Sequence, residues 1–180
     1  MYRDLAAAVF SIRRSVYRIR MQVRHAFREG IFMTRRELRE HVFRILFAYD
    51  FYAKNPEEAR EQIQLYFTHA GGDEMDYPPE DVTGEEADEI TQRVLRIAEA
   101  IPEIDETINR TSTGWKTERM SRADLAILRL AVFEMLRDDN IPTGVAINEA
   151  VLLARKFGGD DSSSFVNGIL AKMERLRSKA

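Results

Sequence analysis

The chain has 180 residues, a formal net charge of −3 and no cysteine, which excludes disulfides, thiolate metal sites and cysteine nucleophiles and suits a reducing cytoplasm. No run of about 18 apolar residues occurs, so no segment reads as a membrane-spanning helix. Glycine and proline are few and fall between periodic segments, alternating strand-like stretches are hard to find, and the class expected is all-α.

The charge is unevenly spread. Residues 1–44 hold eleven arginines against Asp4, Glu29, Glu37 and Glu40, a balance of +7, whereas residues 45–180 carry −10. The basic end is the expected contact for a polyanion. Residues 1–32 read as one amphipathic basic helix, with Arg14 and Arg18, then Arg20, Arg24 and Arg28, at four-residue spacing. Three readings of it stay open: an RNA-phosphate contact, a helix on an anionic membrane surface, or an extension absent from the working protein, since Met33 opens a segment that makes an N-terminus on its own. Arginines interrupt every apolar run there, which does not fit a secretory signal.

The next helix is expected from Thr34 to about Ala53. Thr34 and Glu37 form a capping box, and Val42, Phe43, Ile45, Leu46 and Tyr49 form the buried face. Arg35, Arg36 and Arg39 crowd its first turns against the helix dipole, which suggests a phosphate contact; a solvated face with Glu37 and Glu40 as partners is the plainer reading. Asn55-Pro56 starts a helix that stops at Gly71-Gly72, and residues 71–82 read as an acidic surface loop. Thr83 and Glu86 cap a long helix ending near Ile101, and Pro102 opens a shorter one that breaks at Gly114.

Ser121 to Arg137 is the expected centre. Its residues are apolar almost all round, which places neighbours on several sides, and Ser121 with Asp124 is a capping-box-like start. A further helix is expected over Val145–Phe157, closed by Gly158-Gly159. Ser162 is the expected cap of the last helix, which carries Phe165, Val166, Ile169, Leu170 and Met173 inward. Asn167-Gly168 inside it suggests close approach of another backbone, because glycine there costs ~1 kcal/mol relative to alanine.

No enzymatic chemistry is legible. His25, His41 and His69 are scattered, and no paired metal-ligand spacing, Walker loop or GxGxxG occurs. Asp160-Asp161 before three serines is read as capping, and Glu149 beside Asn148 as a buried hydrogen-bonding pair. No catalytic residue, cofactor or metal is expected.

Three stretches, RRELREHVFRILFAYDFY, RADLAILRLAVFEML and IPTGVAINEAVLLARKFGGDDSSSFVNGIL, together resemble the NusB family of transcription antitermination factors over about residues 33–175. The resemblance implies a compact bundle of about seven helices in two packed subdomains over residues 33–180, following the basic extension 1–32. It implies a cytoplasmic, non-enzymatic protein that binds boxA-type single-stranded RNA of ribosomal-RNA transcripts together with NusE, a small ribosomal subunit protein, in the RNA polymerase antitermination complex. Monomer and homodimer are both compatible with it. Matching positions place Arg35, Arg36, Arg39, Asp161 and Phe165 at RNA, and Phe47 and Asp124 at NusE. Phe165 reads equally as core. Two rivals remain: a helical adaptor that binds only protein, and a module related to the N-terminal part of ribosomal-RNA cytosine methyltransferases, for which the chain shows no catalytic domain.

Overall fold

The three- and four-residue apolar spacing is realised as α-helix in the computed structural model, which describes residues 33–52, 56–68, 79, 82–112 and 114–179. Six α-helices follow one another: α1 (Arg35–Tyr52), α2 (Pro56–Thr68), α3 (Gly84–Thr111), α4 (Arg122–Arg137), α5 (Thr143–Phe157) and α6 (Ser162–Arg177). A 3-10 turn at Thr117–Arg119 precedes α4. No strand occurs among the described residues, and the class is all-α. The expected basic helix over 1–32 and most of the acidic loop 71–82 lie outside the described residues.

Helix α4 is the centre. Every residue from Asp124 to Met135 is buried, because α1, α3, α5 and α6 all pack against it. The Ser121 hydroxyl accepts the Asp124 N–H at 3.1 Å and fixes its start. Three of its buried residues are charged: Asp124, Arg129 and Glu134. Arg129 donates to both carboxylate oxygens of Asp105 on α3, at 2.9 and 2.8 Å, and Glu134 is paired as described below. A two-point pairing of this kind fixes the angle between helices as well as neutralising the charge.

Around this centre, α2 packs on α1 and α3, while α5 and α6 pack on each other and on α4. The side chains of α1 and α5 meet in parallel order: Arg36 with Glu149, Glu40 with Lys156, Phe43 with Phe157. His41 Nδ1 lies 2.8 Å from the Tyr66 hydroxyl and joins α1 to α2.

Three expectations are corrected. The helix expected to end near Ile101 runs unbroken through Pro102, so among the described residues six helices stand where about seven were expected. Ile90, Val94 and Ile97 on one side of the proline, and Ile104 and Ile108 on the other, form one buried stripe in constant phase. Pro102 itself is exposed, so water can replace the donor its ring removes. Ser162 is the first residue of α6 and not its cap: Asp161 holds the cap position without a side-chain hydrogen bond, and Ser162 Oγ accepts the Gly159 N–H at 2.8 Å. Among the described residues, no close backbone meets Gly168. That residue is exposed, and a Cβ on it would meet nothing within 4 Å. The close approach occurs at Gly158, where a Cβ would overlap Ser162 Cβ and Oγ.

Candidate functional site

The three arginines of α1 do not act alike. Thr34 and Glu37 cap the helix reciprocally, Thr34 N–H donating to Glu37 Oε2 at 2.8 Å and Glu37 N–H to Thr34 Oγ1 at 3.2 Å. The cap sends the next two side chains outward. Arg35 reaches Glu89 of α3 at 3.2 Å with 77% of its side chain exposed, and Arg36 reaches Glu149 of α5 at 3.0 Å with 66% exposed. The hydrogen bond and charge of Glu149 hold Arg36 still more firmly in its protonated form. An exposed pair such as Arg35–Glu89 contributes only about 0–1 kcal/mol, whereas Arg36 holds the largely buried Glu149 at two points, Nε to Oε2 at 3.3 Å and Nη2 to Oε1 at 3.0 Å.

Arg39, expected beside them at RNA, points inward. Its side chain is 8% exposed, and Nε donates to both oxygens of Glu134, at 2.9 and 3.0 Å. Arg93 of α3 reaches the same carboxylate at 3.3 Å and Asp138 at 3.2 Å. Burial holds the Glu134 carboxyl above the usual carboxylate range, against the opposing pull of Arg39 and Arg93. The network joins α1, α3 and α4 beneath a cleft of about 300 Å³ lined by Arg35, Arg39, Arg93, Glu134 and Val145 among others. Its walls carry both signs of charge, Arg35, Arg39 and Arg93 against Glu134 and Asp138. The expected partners Glu37 and Glu40 are engaged elsewhere, Glu37 as cap and Glu40 with Arg44 and Lys156. Likewise Glu149 pairs with Arg36, while Asn148 is exposed.

The far end of α1 is aromatic. Phe43, Phe47 and Phe51 stack in sequence at about one helical turn each, with centroids 6.1 and 6.2 Å apart, and Phe47 and Phe51 stay exposed. Arg122, the first residue of α4, lies 3.8 Å from the centroid of Phe51 and brings the start of α4 onto this face. Asp124, two residues on, is buried, and its Oδ1 has no hydrogen-bond partner among the described residues. At the α5–α6 loop Asp161 is exposed; Phe165 is half-buried and packs against Trp115. Arg36 meets α5 at Glu149, whereas Asp161 follows the end of that helix at Phe157.

This arrangement of helices matches known proteins. The sequence model of the NusB family matches residues 36–175. The chain belongs to the NusB family. The transcription antitermination protein NusB of Lachnoclostridium phytofermentans is 48% identical over 141 residues, covering 78% of this chain and 98% of that protein. Among solved structures, T. maritima NusB matches with a TM-score of 0.65 at 28% identity, covering 81% of this chain and 93% of that one. A crystal structure of the antitermination factors NusB and NusE in complex with dsRNA shares the fold, with a TM-score of 0.60 at 21% identity over 79% of this chain and 96% of that one. The family match leaves the basic residues 1–32 outside it.

Sequence reasoning missed two exposed aromatic residues of this NusB fold. Phe51 continues the Phe43–Phe47 row at four-residue spacing, a signal that was present. Trp115 is the single tryptophan, and it stands in the connection between α3 and α4.

Proposed function

We propose that this chain is a non-catalytic transcription antitermination factor that binds boxA-type single-stranded RNA of ribosomal-RNA transcripts together with NusE, within the RNA polymerase antitermination complex. The observation that carries this reading is the 48% identity, over 98% of its length, to a protein named for transcription antitermination. The neighbour solved with NusE and RNA has the same fold and supports the two kinds of partner.

The geometry suggests a division of labour. Arg35 and Arg36 supply salt-sensitive phosphate contacts, and Arg39 positions α1 from within. Phe165, with the exposed Asp161 at the start of α6, offers an edge where an unpaired base can stack and hydrogen-bond. Phe47, with Phe51 beside it, forms the apolar face for NusE, and Asp124 lies buried behind that face at the start of α4.

The test is fluorescence anisotropy with a boxA strand and a scrambled strand over a salt series, with and without NusE. Preference for boxA that sharpens on adding NusE is the expected result. Arg35→Ala/Arg36→Ala should lower the slope of log affinity against log salt by about 1.4, at ~0.7 per phosphate contact on single strands. Equal, feeble binding to both strands in both conditions would leave a helical adaptor that binds only protein.

A further inference from the structure

Trp115 is 54% exposed, and a lone exposed apolar residue ordinarily carries no message. This one is held in place. Gly114 turns the chain at φ +85°, a conformation that suits glycine. On one side Ser112 Oγ donates to the Trp115 carbonyl oxygen. On the other, the Asn109 side chain grips Thr117, accepting its N–H at 2.8 Å and donating to its hydroxyl at 3.1 Å. The indole lies edge-to-face with Phe165, ring centroids 5.9 Å apart and planes at 75°. Lys116 and Arg119, in the same short connection, are exposed cations.

We infer that Trp115 is a stacking platform for an unpaired base of single-stranded RNA, adjoining Phe165; this rests on the RNA-binding reading above. A fixed indole offers a large π surface with little rotamer freedom left to lose, and stacking on it is tolerant of base identity. Lys116 and Arg119 are placed to meet the phosphates on either side of that base. The angle between the rings adds a selection. Neighbouring bases in a duplex are stacked nearly parallel, so they cannot lie flat on two rings 75° apart. Only bases splayed away from each other can, and that favours a single strand over a duplex.

Because Trp115 is the only tryptophan, its emission reports this site alone. An unlabelled boxA strand is titrated into the full chain while emission is followed, and a labelled copy reports binding by anisotropy. Saturable quenching with the same Kd is expected from the single strand, with none from a duplex of the same sequence. Trp115→Ala should bind about 5- to 150-fold more weakly, the range for one stacked base, and Trp115→Phe should keep most of the affinity. If Trp115→Ala does not fold, the wild-type quench and the Trp115→Phe affinity decide. Binding by anisotropy with unchanged emission and equal affinity in the variants overturns the platform and leaves RNA binding intact. No anisotropy change with or without NusE overturns both.

Discussion

Arg36 and Arg39 stand about one turn apart on α1, and the fold treats them oppositely. Arg36 lies at the rim with 66% of its side chain exposed and one carboxylate within reach, while Arg39 lies in the interior, 8% exposed, in a network with Glu134 and Arg93. The rim also keeps its aromatic rings, Phe47, Phe51 and Trp115, in contact with solvent. Charge therefore serves two purposes here. Inside, it sets the angles between α1, α3 and α4; outside, it pairs at the surface in contact with solvent.

Breaking the interior should have the largest effect. Arg39→Ala leaves Glu134 buried without its main partner and should cost about 3–5 kcal/mol in denaturant unfolding. The loss should depend on pH. The Glu134 carboxyl, already raised by burial, rises further without Arg39. A raised carboxyl contributes its stability below the ordinary carboxylate pKa and loses it as pH climbs through the folded value. The deficit of Arg39→Ala should thus be greatest near neutrality and shrink in mild acid; a constant deficit across that range would mean Glu134 is not the group left exposed to the change.

Two glycines sharpen the same contrast with smaller effects. Gly158→Ala forces a methyl group into Ser162 and should destabilise by about 1–3 kcal/mol. Gly168→Ala, on the open face of α6, should stabilise by about 0.5–1 kcal/mol, since the new methyl group meets nothing and the helix gains propensity. Thermal melts of the two variants shifting in opposite directions would confirm which glycine the packing requires.

Local signals were legible in the sequence. The capping pairs at Thr34, Thr83 and Ser121, the apolar circumference of α4 and the limits of α5 all depend on residues a few positions apart. What could not be read depends on distance along the chain. The carboxylates that meet Arg35, Arg36 and Arg39 are 54, 113 and 95 residues away, so the motif alone could not say which arginine turns inward. Pro102 misleads for a different reason: a proline commonly marks a helix boundary, but the isoleucine stripe crosses it unbroken, and in a helix packed along its length burial decides. Gly168 was given a packing role that Gly158 holds, because a glycine inside a helix stands out in sequence and one at a helix end does not.

The 95-residue separation of Arg39 and Glu134 also bears on how the protein is made. At a synthesis rate of ~5–20 residues per second, α1 waits about 5–20 s for Glu134 to be joined to the chain. During that interval its apolar face and its arginine lack the central helix that will cover them. Among the described helices α1 waits longest for α4, whereas α4, α5 and α6, neighbours in sequence and in space, can assemble on one another as they emerge.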